Sequence, residues 1–190
     1  MQWNDHSRLK DQHAFLSCSQ WHWMNYDDDK LISRWKSAEA VKEGTLYHEY
    51  AAMAIRLGRK QLKNNTTLNM HINDAIGFGL DPEVTLYYSE NCFGTSDAIG
   101  FKNNILRIHD LKTGQIKAHM EQLRGYAALF CLEYAIKPGD IDLIELRIYQ
   151  NNEIVVEQPK ADLILPIMDK MQRFDKIIND LKKEKSGIII

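Results

Sequence analysis

The stretch FGTSDAIGFKNNILRIHDLK, residues 93–112, decides the fold. Two runs rich in β-branched and aromatic residues flank Asn103-Asn104. That pair tolerates the left-handed backbone of a two-residue hairpin turn. With such a loop Lys102 opposes Ile105, Phe101 opposes Leu106, Ile99 opposes Ile108, Asp97 opposes Asp110 and Thr95 opposes Lys112. One face of this hairpin is apolar near the turn and ends in two opposed aspartates with a lysine beside them. Like charges directly opposite destabilise a sheet. Either one aspartate holds a proton or a cation lies between them. His109 points away by strand alternation. A three-residue loop or a bulge would instead put the aspartates on opposite faces. In that case they are strand-end surface residues.

Working outward, Thr45 as an N-cap and Gly58 as a C′ residue predict a helix over 45–57. A second helix is expected over 67–76, ending in the glycines of Gly77-Phe78-Gly79, and Asp81-Pro82 then breaks the chain. Strands are expected at 83–90, 93–102 and 105–112. Ile116, Met120, Leu123, Ala127, Phe130 and Tyr134 alternate spacings of four and three, one buried stripe of a helix over 115–135. Strands at 141–150 and 153–157 turn at Asn151-Asn152, and an amphipathic helix covers 161–184. Residues 1–43 form an N-terminal helical segment. There Ser17 or Ser19 caps a short helix, and Asp27-Asp28-Asp29 is a solvated turn. This order predicts an α/β or α+β domain, a sheet with helices packed on it. One domain spans 1–190, with its core over 44–158 and a C-terminal helix and tail over 159–190.

The formal net charge of −2 provides no global basic field, so contact with nucleic acid would need a local patch. No apolar run approaches the roughly 20 residues that span a bilayer. The first residues carry no apolar signal-peptide core, so the expected location is the cytoplasm, away from membranes. Cys18, Cys92 and Cys131 are odd in number and form no CxxC pair, which speaks against a zinc ribbon or a disulfide framework.

Four short motifs follow one another in order: Gly44-Thr45-Leu46-Tyr47-His48, Gly94-Thr95-Ser96-Asp97, Asp110-Leu111-Lys112 and Gln122-Leu123-Arg124-Gly125-Tyr126. The set resembles the PD-(D/E)XK nuclease superfamily, specifically its RecB-like exonuclease branch with GxxxH, GxxD, (D/E)xK and QxxxY motifs. HAFLSCSQWHW, residues 13–23, is similar to the opening of phage-encoded members. The resemblance covers roughly residues 13–150. It implies a restriction-endonuclease-like core with a central mixed sheet of about five strands flanked by helices. It also implies a DNA exonuclease dependent on one or two Mg²⁺ or Mn²⁺ ions, acting in phage or bacterial recombination or repair. The implied metal ligands are His48, Asp97, Asp110 and the Leu111 backbone carbonyl, with Glu49 as an alternative or supporting group. Lys112 assists the attacking water, and Gln122 and Tyr126 support the metal site or the DNA backbone. Three dispersed cysteines do not fit the iron–sulfur cluster of some relatives.

Basic residues that could face DNA are Arg56, Arg59, Lys60, Lys63, Lys117 and Arg124, joined by His119; Lys182, Lys183 and Lys185 also suit the end of the last helix. Trp21 and Trp23 could stack on a base at a DNA end. Linear duplex ends or single strands are the implied substrates. A recombination or single-strand-binding partner and a homo-oligomer are compatible with this reading. Two alternatives are a structure-selective or sequence-specific endonuclease on the same fold, and a non-catalytic DNA-binding or assembly module.

Overall fold

The computed structural model describes residues 14–114 and 118–186, with the side chains of residues 20, 21, 185 and 186 left aside. Two compact units divide between Glu43 and Gly44. In the first, a 3-10 segment Cys18–Asn25 precedes the start of the long helix α1, Asp28–Arg56, whose residues from Gly44 on belong to the second. Ser17 bonds the Ser19 hydroxyl at 2.7 Å and makes no side-chain cap. The acidic run is not a solvated turn. Asp27 Oδ1 accepts the Lys30 N–H at 2.8 Å, and Asp28 and Asp29 lie in the first helical turn, where the dipole favours them. Nor does Thr45 start a helix. No Pro or Gly interrupts residues 28–43, so α1 runs straight through it. Gly58, at φ +60°, does end α1: its N–H reaches the Ile55 carbonyl and the Arg59 N–H reaches the Ala54 carbonyl.

The second unit carries α2, Thr67–Phe78, then β1, Asp81–Ser89, β2, Cys92–Lys102, and β3, Ile105–Leu111. Helix α3, Glu121–Glu133, crosses to β4, Leu143–Gln150, followed by β5, Glu153–Glu157, and α4, Ala161–Ser186. The strand order is β1-β2-β3-β4-β5. β3 and β4 are parallel and the other neighbours antiparallel, so the fold is mixed α/β with a five-stranded mixed sheet flanked by helices. Both expected hairpin turns form, with Asn103, Asn104, Asn151 and Asn152 all at φ between +52° and +62°.

Three strand or helix starts differ from expectation. β1 begins at Asp81, so Asp81-Pro82 does not break the chain but opens the edge strand, where a proline is tolerated. α3 begins at Glu121, not at 115, and Ile116 and Lys117 lie outside the described residues. β4 begins at Leu143, because Pro138–Asp140 forms a 3-10 turn and the Asp142 N–H bonds the Asn104 carbonyl. The α3 stripe is also wider than a single line. Leu123, Ala127 and Phe130 are buried, and so are Ala128, Leu129 and Cys131. The helix is covered by the sheet on one side and by α4 residues such as Ile164 and Met171 on another. Tyr134, just past its end, is exposed.

The sheet buries both faces. Leu106, Ile108, Leu146 and Ile148 pack toward α3 and α4. Ala98, Leu111 and Tyr149 pack toward α2 and the Ala51–Ile55 stretch of α1. Among the described residues, no helix is long and apolar enough to cross a membrane.

Candidate metal centre

β2 and β3 pair from Lys102–Ile105 to Ala98–His109, in the register expected from the turn. The ladder stops one rung short of Asp97 and Asp110, so the expected opposed pair does not form. Asp97 Oδ2 instead accepts the Leu111 backbone N–H at 2.7 Å, and Oδ1 lies 3.2 Å from His48 Nδ1. The cause is a slip in the alternation of β2. A Cβ on Gly94 would meet Tyr126 of α3 at 3.1 Å, so position 94 faces α3. Strict alternation would put residue 98 on the same side. Ala98 packs with α1 and α2 instead, and Ile99 takes the α3 side. The slip turns Asp97 toward His48 on α1. Thr95 does not face Lys112 either. It pairs with Thr85 of β1, and its carbonyl accepts the Tyr126 hydroxyl at 2.6 Å.

Asp110 follows Ile108 on the α3 side and is 3% exposed. Lys112 Nζ donates to Asp110 Oδ1 at 3.1 Å and to Gln122 Oε1 at 2.9 Å. The ammonium also lies 3.0 Å from Asp110 Oδ2, but without hydrogen-bond alignment, so this buried oxygen has no hydrogen bond. Burial, helped by the Asp97 charge, pushes the Asp110 carboxyl up to about 6 despite Lys112. Burial also works against the charged form of Asp97. The His48 hydrogen bond and charge and the Leu111 N–H outweigh it, and the carboxyl lies below its usual range. His48 is raised by its bond to Asp97, against burial.

Glu83 of β1 is a member of this group that sequence reasoning missed. One ligand atom each from His48, Glu83 and Asp97 lie within 4.8 Å of one another. Pro82 pairs with Ala98 and Val84 with Ser96, which leaves Glu83 opposite Asp97. Glu83 has φ +53°, a conformation that costs a non-glycine residue about 1–3 kcal/mol. Its carboxyl is raised by burial and by Asp97. The available signal was the β1–β2 register, and a bulge hides it. Ser89 pairs with Cys92 but Tyr87 with Phe93, so Tyr88 is an extra residue. A tight turn at Glu90-Asn91 without that bulge would set Glu83 against Ala98.

Other expected residues lie apart from this group. Glu49 is exposed and outside the three-ligand cluster. Arg56 is exposed at the end of α1, close enough to favour the Glu83 carboxylate, and Arg59, Lys60 and Lys63 are exposed beyond it. Arg124 is not a free DNA-facing cation: its guanidinium holds Glu157 through two bonds of 2.7 Å. His119 is exposed and precedes α3 rather than riding on it, 3.9 Å from Glu121. Lys182 bonds Asn91, and Lys183 lies 3.6 Å from Asp180. Trp23 is half-buried and donates to the Ser17 carbonyl at 2.9 Å. Lys117 and the side chains of Trp21 and Lys185 lie outside the described residues.

Beside Lys112 a cavity of about 360 Å³ opens, lined by Tyr47, Thr66, Thr67, Thr113 and Asn152. Comparison with protein-family models, with curated proteins and with solved structures found no match. The residues themselves fit a divalent cation. An imidazole nitrogen and carboxylate oxygens suit Mg²⁺ or, with the nitrogen donor, Mn²⁺. The unbonded Oδ2 of Asp110 marks a buried negative group whose hydrogen-bonding capacity is not used up.

Proposed function

We propose that this chain is a divalent-metal-dependent DNA exonuclease with a PD-(D/E)XK-type centre, acting in recombination or repair. The observation that carries this reading is the convergence of His48, Asp97, Asp110 and Lys112 where the β2–β3 ladder ends, with the Asp110 carboxylate buried and one oxygen unbonded. Such clustered, mutually perturbed groups mark functional sites.

Bound Mg²⁺ or Mn²⁺ would act as a Lewis acid on the phosphodiester and make its water more acidic. His48 and Asp97 would hold the ion, with Asp110 and the Leu111 carbonyl as further donors. The Leu111 N–H fixes the Asp97 carboxylate in place. Lys112, held between Asp110 and Gln122, presents an ammonium where it can orient the attacking water or stabilise charge on the phosphate. Gln122 positions Lys112, and Tyr126 ties β2 to α3 through the Thr95 carbonyl. Neither needs to touch DNA to matter.

The test is incubation of linear and circular duplex DNA with Mg²⁺, Mn²⁺ or EDTA, with a distinct label at each end. Metal-dependent release of label from linear DNA, with circles spared, supports the reading. Nicking or cutting of circles assigns an endonuclease. No cleavage with either metal, together with unimpaired DNA processing by Asp110→Ala and Lys112→Ala variants in cells, overturns catalysis.

A further inference from the structure

The motif residues alone would place the cation between Asp97 and Asp110. The geometry points elsewhere. Both Asp110 oxygens lie close to Lys112 Nζ on the α3 side, at 3.1 and 3.0 Å. An ammonium at that distance competes with a cation for those oxygens. Asp97 is turned to the opposite side, toward α1, and there it meets His48 and Glu83, with donor atoms of all three within 4.8 Å. Donors to one Mg²⁺ ion lie no more than about 4.2 Å apart, so a small side-chain movement closes this spread onto a single ion.

The β1 backbone supports this placement. The Tyr88 bulge sets Glu83 opposite Asp97, and φ at Glu83 lies at +53° within a strand. Nothing in the packing of β1 demands a glutamate there, because the residue is exposed. Two carboxylates set against each other across a ladder repel. His48, the Leu111 N–H and the more distant Arg56 offset part of that repulsion, and Asp110, buried with Oδ2 unbonded beside the same centre, adds to it. A cation between Glu83, His48 and Asp97 would remove it.

We propose that Glu83 is the third protein ligand of a divalent cation held by His48 and Asp97, at a position separate from the Asp110–Lys112 pair. The inference rests on the metal-dependent reading above and adds a residue outside the four motifs. It leaves Asp110 and Lys112 to face the water and the phosphate, with Asp97 shared between the two halves of the centre.

The experiment uses full-length protein stripped with EDTA and titrated with MnCl₂ without DNA. Free Mn²⁺ is read by electron paramagnetic resonance, and the Mn²⁺-induced rise in melting temperature is measured in parallel. Glu83→Gln is expected to weaken Mn²⁺ binding at least tenfold and abolish most of the thermal shift. Glu153→Gln, which removes an equal charge on edge strand β5, should leave both unchanged. Glu83→Asn, whose side chain tolerates positive φ, guards against a folding artefact: it should match the wild-type melting temperature without metal and still bind Mn²⁺ poorly. Asp110→Asn should weaken Mn²⁺ binding less than Glu83→Gln. If Glu83→Gln binds Mn²⁺ as wild type does, or Asp110→Asn is the more damaging, this inference fails while metal-dependent cleavage stands. If wild-type protein binds no Mn²⁺ and cleaves nothing, both readings fail together.

Discussion

Two buried polar groups border the same strand, and they solve the problem of burial in opposite ways. At the end of β3, Asp110 is set between Lys112 and the charge of Asp97. One residue earlier, on the other face, His109 is fully buried against Tyr149 and Phe78, with His71 close by. Burial there drives the His71 ring down to about 4 and the His109 ring to about 2, so both are neutral at pH 7. The Tyr149 hydroxyl bridges His109 Nδ1 at 3.2 Å and Asp74 at 2.8 Å, and Arg147 also reaches Asp74. The α3 side therefore holds a charged pair. The α1–α2 side keeps the His71 and His109 imidazoles neutral and gains a rigid floor under the centre. Adjacent residues of one strand can serve chemistry and stability separately because alternation points them to opposite faces.

The largest break in that comparison should come from Asp110→Asn. We expect end-label release from linear DNA to fall by about 10²–10³-fold or more, as when a group that stabilises transition-state charge is removed. Thermal stability without metal should not fall, since the amide removes a buried charge that Asp97 repels. A large loss of stability would show that Asp110 is structural.

On the opposite face, Tyr149→Phe should cost about 1.5–3 kcal/mol in urea unfolding, because it strips a hydrogen bond from a charged, partly buried Asp74. Cleavage per folded molecule should stay near wild type. If activity drops while stability holds, the two faces are coupled.

The two faces should also titrate in opposite senses. His71 and His109 have folded values below the ordinary 6.5, so the unfolded chain binds more protons between about 4 and 6.5. Their contribution is complete above pH 6.5 and is lost as pH falls through that window. Asp110 is raised from 3.8 to about 6, so its folded form binds the extra proton and its contribution declines as pH rises toward 6. Wild-type stability should therefore rise from pH 4 to 6.5, and Asp110→Asn should steepen the rise. Urea midpoints at half-unit pH intervals read both.

Smaller effects test the supporting contacts. Gln122→Ala releases Lys112 from one neutral partner and should slow turnover up to about tenfold with KM little changed, in line with a net bond of about 0.5–1.5 kcal/mol. Arg124→Ala breaks a half-exposed pair with Glu157 and should cost at most about 1 kcal/mol, with DNA cleavage unaffected. Loss of DNA affinity in that variant would restore Arg124 as a contact.

Much of this architecture was legible because Asn103-Asn104 and Asn151-Asn152 are residues suited to left-handed turns, and each pins a hairpin. The same counting puts His109 away from both aspartates; it lies opposite Asp110, but on the side toward which Asp97 turns. Counting failed where the backbone departs from regular alternation. The slip between Gly94 and Ala98 leaves no mark in residue type, so counting gives the right register but the wrong side for Asp97. Glu83 escaped for a similar reason, since the β1–β2 connection carries a bulge at a tyrosine and not at a glycine. The Glu157 partner of Arg124 is not legible either, because it is 33 residues away across a sheet edge. Thr45 reads as a start signal directly after Gly44, yet residues 28–43 hold no Pro or Gly and the helix runs through both.

The extra residue in β1 has an evolutionary corollary. Were Tyr88 drawn into the ladder opposite Phe93, every upstream position would advance by one and Glu83 would come alongside Ala98. A substitution in that hairpin that closes the bulge, outside all four motifs, is then enough to erase an acidic donor. Divergent chains that keep all four motifs could differ in how many ions they hold for no reason visible in the motifs themselves.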